Sequence, residues 1–297
     1  MLGVTLPQFT EDVDGFIDAA RRAEGLGLDS IWVFDHLWPL SGGKQRPMLE
    51  GWTALAWLAE ATERVTIGTL VTRSSLRHPA VLAKMVANVG AIAPGRVIVA
   101  VGSGDRASRP ENDAFGLPYF AGSDRVRQLV SAVEVLLHYL HEPEVSFHDA
   151  FVDIEALSAS PRPNPPPSVW LGGRSPELLE VAGRLADGWN GWASTPQEFA
   201  LEAESVRRAA GDRSVELSWG GLVMLGADDA DATDKLGTRP ASEYVVGGPA
   251  TVAAYLSDIA QAGARHLVVT LPDASKPGTY ELLAHEVRPR VGGSDGA

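Results

Sequence analysis

Short apolar runs alternate with stretches of helical periodicity along most of this chain, and that alternation restricts the fold more than any other feature. One of the runs, Val97–Val101, is apolar throughout, as expected for a parallel strand buried on both faces. The pattern therefore predicts an α/β fold with a parallel sheet. Predicted strands lie at Met1–Pro7, Ser30–Phe34, Val65–Thr72, Val97–Val101, Ser168–Leu171, Gly188–Ala193, Val215–Leu225 and His266–Leu271.

Helical stretches follow or separate these runs, beginning with the periodic apolar positions Val13, Phe16, Ile17 and Ala20. Eight strand-helix units fit either a closed barrel or an open doubly wound sheet. An open dinucleotide-binding sheet has a glycine fingerprint after its first strand, and the segment Thr5–Phe9 has none. We therefore predict a single (β/α)8 TIM barrel over residues 1–291, with a small extended excursion near 145–154 and a disordered tail at 292–297.

Charge and composition narrow the functional classes. The formal charge of −13 predicts no binding to nucleic acid or to an anionic membrane surface. No run approaches the ~18 apolar residues of a membrane span, and Met1–Phe9 lacks the basic start of a signal peptide, so we expect a cytoplasmic protein. Cysteine is absent and no His/Asp/Glu cluster has metal-ligand spacing, so no metal site is predicted. A small-molecule substrate is the expected partner, and whether the protein also forms a homodimer stays an open question.

Polar residues at the carboxyl ends of the strands are the candidate functional residues, because a barrel's active site lies at that end. Asp35 and His36 directly follow the second strand, as either a turn pair or a functional pair. The fourth strand ends in Gly102-Ser103-Gly104-Asp105, where the two glycines would let the backbone approach a flat ring.

Two further strand ends suggest anion binding. Arg77-His78-Pro79 precedes a helix and is either an anion site or an ordinary helix start. Gly172-Gly173-Arg174 leads into Ser175-Pro176, which has the sequence of a capped helix start. The glycine amides there would form a phosphate cradle, and the alternative is a glycine turn before a capped helix.

Taken in order, these segments resemble the luciferase-like monooxygenase superfamily, and within it the branch that uses the deazaflavin coenzyme F420. The resemblance covers most of residues 1–272. The matching segments are Gly25–His36, Ile67–Thr72, Arg77–Lys84, Pro94–Gly104, Leu171–Gly173, Ala186–Trp189, Gly247–Pro249 and Ala262-Gly263.

The resemblance implies a barrel that binds a flavin or deazaflavin in its carboxyl-end mouth. It places Leu70 and Val71 in a bulge with an unusual cis peptide, and His36 beside the ring as the proton carrier, with Asp35 and Asp105 as further catalytic candidates. Some sugar-phosphate-oxidising relatives have Glu where this chain has the shorter Asp105. The implied cofactor contacts are Asp35, Leu70, Val71, Thr72, Gly102, Ser103, Gly104, Gly172, Gly173 and Arg174.

The function that the resemblance implies is hydride transfer between F420 and a small organic substrate. His36 is the candidate proton donor or acceptor beside the transferred hydride, because an imidazole titrates near neutral pH. Two alternatives stay open. One is an FMN-dependent monooxygenase, and the other is a catalytically silent flavin-binding protein. The acidic tail of F420 would need a local basic patch, for which Arg73, Arg77, Arg106 and Arg109 are candidates, unless these form surface salt bridges.

Overall fold

A computed structural model describes residues 1–39, 43–104, 106–276 and 278–291. Asp105 and the predicted tail at 292–297 lie outside the described residues. All eight predicted strands are present, and every pairing between them is parallel. They are β1 (Leu2–Thr5), β2 (Ser30–Val33), β3 (Thr66–Arg73), β4 (Val97–Gly102), β7 (Ser168–Gly172), β8 (Gly188–Trp192), β9 (Glu216–Leu225) and β11 (His266–Thr270).

The sheet closes on itself. Leu267 of β11 lies opposite Leu2 of β1, and Trp189 of β8 lies opposite Leu217 of β9, so the strands form an unbroken ring. The predicted (β/α)8 barrel is thereby confirmed and the open sheet is excluded.

Helices cover the outside of the barrel, mostly where periodicity predicts them. They are α1 (Val13–Gly25), α2 (Gly51–Ala61), α3 (Pro79–Ile92), α4 (Arg109–Ala114), α5 (Ser123–His141), α6 (Pro176–Leu185), α7 (Pro196–Ala210), α8 (Asp229–Leu236), α9 (Pro249–Gln261) and α10 (Thr279–Leu282), which continues as a π-helical turn over Leu283–Val287. None of these helices, in the part of the chain that the structure describes, is both long and apolar enough to cross a membrane.

Local sequence explains where several of these helices begin. Proline occupies the first turn of α3, α6, α7 and α9, where its missing N–H leaves no bond unmade. The Ser175 hydroxyl accepts a hydrogen bond from Leu178 N at 3.4 Å and caps α6, as predicted. Thr195 and Glu198 form a reciprocal capping box at the start of α7.

Other segments differ from the prediction. The extended excursion expected near 145–154 is present and differs only in extent, as an antiparallel hairpin of β5 (Glu144–His148) and β6 (Asp153–Ser158). The sequence did not predict α4, α8 or the strand β10 (Tyr244–Gly247), which extends the sheet beside β9. Helix α4 has six residues and α8 contains three aspartates, so neither shows a helical apolar stripe.

The core has two layers, as a filled barrel requires. The larger layer lies between strands and helices, and the smaller one fills the inside of the barrel with Trp32, Leu70, Ile98, Ala100, Trp170 and Val268. His266 is also inside, fully buried, with its Nε2 2.6 Å from the Ser30 hydroxyl and its ring edge-on to Trp32 and Trp170. The barrel is therefore plugged, and its open space lies at the carboxyl end of the strands.

Candidate active site

A cavity of about 540 Å³, here called the first cavity, opens at the carboxyl ends of β2, β3, β4, β7 and β8. This volume lies within the roughly 300–1,000 Å³ typical of small-molecule and cofactor sites. Most of the predicted site residues line it, namely His36, Leu70, Val71, Gly102, Ser103, Gly104, Gly172, Gly173 and Arg174. That these residues contact a cofactor stays a prediction, and Asp105 falls outside the described residues.

The floor of the first cavity is set by Val71. The Leu70–Val71 peptide is cis, and the pairing of β3 with β4 shifts register between Thr69 and Thr72, so the predicted bulge is present. An added Cβ on Gly102 would lie 2.6 Å from Val71 Cγ2, and one on Gly172 would lie 2.8 Å from Val71 Cγ1. These two glycines therefore make room for the valine side chain. From the sequence, Gly102 was predicted to let the backbone approach a flat ring.

His36 is held in the wall of the first cavity by Glu111, a residue of α4. The His36 Nδ1 and Glu111 Oε2 atoms are 2.9 Å apart. Glu111 Oε1 accepts hydrogen bonds from the backbone N–H groups of Leu37 and, at 3.2 Å, of Trp38. His36 Nε2 has no hydrogen-bond partner among the described residues, so it is the ring nitrogen available to a ligand in the cavity.

Glu111 is ionised in this setting, although its side chain is only 1% exposed. Burial opposes ionisation, but the hydrogen bonds from His36 and Leu37 and the positive charge of Arg73 hold the pKa of Glu111 below its ordinary value. Arg73 Nη2 lies 2.9 Å from Glu111 Oε2. A buried carboxylate that accepts from one imidazole nitrogen orients the ring and leaves the lone pair of the neutral ring on the other nitrogen.

Asp35 is not among the residues that line the first cavity, so its predicted role at the ring stays a prediction that this lining does not support. Its side chain is fully buried and receives two hydrogen bonds from Arg77, at 2.6 and 2.8 Å, and Arg77 also pairs with Glu50. Burial raises the pKa of Asp35, and the hydrogen bonds and charge of Arg77 oppose that rise. Asp35 therefore ties the end of β2 to the start of α3.

Thr72 and His78 are also structural. The Thr72 hydroxyl is buried and accepts a hydrogen bond from the Trp52 indole at 3.0 Å, outside the cavity wall. Its cofactor contact stays a prediction that this position does not support, because the bulge at Val71 turns the next side chain toward α2. His78 caps α3 through its Nδ1, so this strand end is an ordinary helix start.

At the end of β7, glycine is required by the backbone. Gly173 has φ +136°, and an added Cβ would lie 2.4 Å from Leu178 Cδ1. Arg174 lines the first cavity while its guanidinium pairs with Glu202 at 2.6 Å and Glu198 at 3.2 Å on α7. The start of α6 presents its positive dipole end to the cavity, with one arginine already paired beside it.

The predicted basic patch is not formed as expected. Arg73 and Arg77 are engaged in buried ion pairs, and Arg109 pairs with Asp113 at 3.6 Å on the exposed surface of α4. Arg125, in the first turn of α5, lines the first cavity instead, and its Nε is buried with no hydrogen-bond partner among the described residues. A buried unpaired guanidinium nitrogen beside a cavity is a binding group for an anion.

A second cavity, of about 740 Å³, opens at the carboxyl ends of β1, β9 and β11. Phe34 lines both cavities and stands between them. Its ring contacts Trp192 of β8 edge-on, with the centroids 6.2 Å apart. The barrel mouth is therefore divided into two chambers by an aromatic partition.

Within the four described segments, no three His, Cys, Asp or Glu side chains are grouped so that they could hold a metal ion. Some charged groups of the wall of the first cavity are instead paired, His36 with Glu111 and Arg174 with Glu202, whereas the Arg125 Nε has no hydrogen-bond partner among the described residues. The wall thus contains a candidate proton carrier in His36, an apolar surface at Val71 and a candidate anion-binding group in Arg125.

Comparison with known proteins adds a family match. The family model for luciferase-like monooxygenases matches residues 2–291. The chain is 28% identical to an F420-dependent glucose-6-phosphate dehydrogenase of Beutenbergia cavernae, over 91% of this chain and 90% of that protein. It is 32% identical to a protein of the same name from Kineococcus radiotolerans, over 58% of this chain and 50% of the relative. The chain spans about half the length of most of the curated relatives that it matches.

Among solved structures, an F420-dependent secondary alcohol dehydrogenase in complex with an F420-acetone adduct superimposes with a TM-score of 0.84. The match covers 98% of each chain at 21% sequence identity. At this identity the likeness shows the barrel fold alone.

Proposed function

The chain belongs to the luciferase-like monooxygenase family, and on that premise we propose that it is an F420-dependent dehydrogenase that oxidises a hydroxyl-bearing carbon of a small organic substrate. The observation that carries the proposal is the His36–Glu111 pair in the wall of the first cavity. Support for the cofactor comes from the relatives named F420-dependent dehydrogenases, one of which aligns with 91% of this chain.

The first cavity suits the chemistry of F420. Val71 gives an apolar surface for a flat ring, and the start of α6 at Gly173 and the unpaired Nε of Arg125 give positive ends for a phosphate. When bound there, the deazaflavin would supply a hydride acceptor that reacts poorly with oxygen.

His36 would carry the proton. With Nδ1–H donated to Glu111, the neutral ring has a lone pair on Nε2 that can accept the proton of a substrate hydroxyl while the carbon gives up its hydride. The substrate then becomes a carbonyl compound, and His36 becomes an imidazolium. Glu111 stabilises that positive charge, and Arg73 keeps Glu111 ionised.

An FMN-dependent monooxygenase is the second candidate, because the family takes its name from that activity. The same cavity could hold either ring. The two candidates differ in the electron acceptor, since a monooxygenase consumes oxygen and a dehydrogenase does not.

The test is a turnover assay with purified protein, a panel of secondary alcohols and sugars, and either F420 or FMN. We expect alcohol-dependent loss of F420 fluorescence at the same rate with and without oxygen. Oxygen consumption with reduced FMN, together with no reduction of F420 by any alcohol in the panel, would replace the dehydrogenase with the monooxygenase.

A further inference from the structure

The second cavity belongs to the same end of the barrel as the first but has its own walls. Its sides come from β1, β9, β11 and the inner face of α1, and Phe34 separates it from the first cavity. Since hydride transfer requires the reacting atoms to approach to about 3–3.5 Å, the reacting carbon of a substrate must reach into the first cavity. With a cofactor ring sharing this 540 Å³ cavity, the second cavity is the adjoining space for the rest of a substrate.

Phe34 is held firmly, so the boundary between the cavities is defined. Its backbone N–H donates to Gln8 Oε1 at 2.8 Å, and its carbonyl accepts from Gln8 Nε2 at 2.9 Å. Gln8 is 1% exposed. The Phe34 ring stacks on Phe9 at 6.1 Å on the side of the second cavity and meets Trp192 on the other. A ligand that occupied both cavities would therefore pass along an aromatic edge from one to the other.

The second cavity carries excess positive charge. Arg46 and Arg239 line it, and within the described ranges neither has a carboxylate within ion-pair distance. Arg46 lies over the Phe9 ring at 5.5 Å, and Arg239 Nη1 donates to the carbonyls of Lys235 and Leu236.

The carboxylates of that wall are already engaged. Asp12 caps α1 by accepting from Gly15 N at 2.9 Å, and Asp18 lies 3.9 Å from Arg21. Arg22 in the same wall is paired with Glu281 at 2.5 Å. Among the described residues of this wall, Asp12, Arg46 and Arg239 are therefore left without an ion-pair partner, and the two arginines outnumber the single carboxylate.

We propose that the second cavity binds the part of the substrate remote from the reacting carbon, and that this part carries a phosphate or carboxylate group held by Arg46 and Arg239. This inference rests on the proposed dehydrogenase function. Both anions accept the paired N–H donors of a guanidinium, so the structure selects the charge of the group and the experiment distinguishes its source.

The experiment begins with F420 binding to the wild-type protein, followed by fluorescence, because a protein that does not bind F420 would overturn the proposed function itself. The F420-loaded protein is then titrated by calorimetry with matched pairs of probes, glucose 6-phosphate against glucose and 3-hydroxybutyrate against 2-butanol. We expect the charged member of at least one pair to bind more tightly by about tenfold or more, as one charge-assisted contact allows. The preferred pair identifies phosphate or carboxylate.

The double variant Arg46→Gln/Arg239→Gln should lose that preference and retain its affinity for F420. Arg265→Gln, an exposed arginine next to the amino end of β11 and so at the opposite end of the barrel, is the matched control and should keep the preference. Equal binding of charged and neutral probes by the wild type, including no binding of either, would overturn the inference. So would a double variant that binds F420 more weakly but binds a tail-less deazaflavin normally, because the arginines would then hold the cofactor's tail.

Discussion

Replacing Glu111 with Gln keeps the size of the side chain and removes the charge next to His36. Two charges about 4 Å apart attract by about 4 kcal/mol at an effective dielectric constant near 20. Arg73, 2.9 Å from the same oxygen, offsets part of this attraction, so we expect the imidazolium of His36 to lose about 2 to 3 kcal/mol of stabilisation. The hydride-transfer rate should fall by about 30- to 150-fold.

The assay is single-turnover reduction of F420 by the alcohol that the substrate screen identifies. His36→Ala sets the lower limit of the hydride-transfer rate, which should be about 10²- to 10⁴-fold below that of the wild type. Because Glu111 acts through His36, the double variant should be no more than about threefold slower than His36→Ala. Glu50→Gln is the control, since it removes a carboxylate that caps α2 and pairs with Arg77 without touching His36.

Two results would refute this reasoning. One is a Glu111→Gln enzyme with the wild-type rate. The other is a double variant whose loss equals the product of the two single losses, because Glu111 would then act independently of His36.

Three further predictions follow from the buried charges. Arg125→Gln should weaken F420 binding by about 10- to 100-fold, as expected for the loss of one charge-assisted hydrogen bond, whereas Arg127→Gln, exposed on the same helix, should not. Equal F420 affinities of the two variants in a fluorescence titration would remove Arg125 from the site. Asp35→Asn should lower the free energy of unfolding, measured in urea, by about 3 kcal/mol, because it deprives buried Arg77 of its main partner. The exposed control Asp18→Asn should change it by less than about 0.5 kcal/mol, and similar values for both variants would contradict the structural role of Asp35. Burial lowers the pKa of His266 to about 4, so between pH 6.5 and 4 the unfolded chain binds a proton that the folded chain excludes. The free energy of unfolding of the wild type, relative to that of His266→Gln, should therefore fall by about 3 kcal/mol as the pH drops through that range, and a constant difference would contradict this.

The sequence was sufficient for the barrel because each of its eight strands, and most of the helices between them, has a local pattern. All eight strands, the cap at Ser175 and the bulge at Leu70–Val71 lie where the sequence and the family resemblance placed them. Such features depend on residues that are neighbours in the chain.

The partners of the site residues could not be predicted in the same way, because they are distant in sequence. Glu111 is 75 positions from His36 and lies on a helix too short to show periodicity. Its position in the connection after β4, the strand that ends at Gly102, was the available signal. Asp35 was assigned to the cofactor because it follows a strand, whereas its partner Arg77, 42 positions later, buries it outside the cavity.

The first cavity is proposed to bind the deazaflavin in preference to FMN, and a direct binding titration tests this preference. Purified protein is titrated with each cofactor separately, by fluorescence at two salt concentrations. We predict that F420 binds at least about tenfold more tightly than FMN, and that its affinity falls as salt rises, because Arg125 is proposed to contact an anionic group of F420. Tight binding of FMN with no measurable binding of F420 would contradict the account.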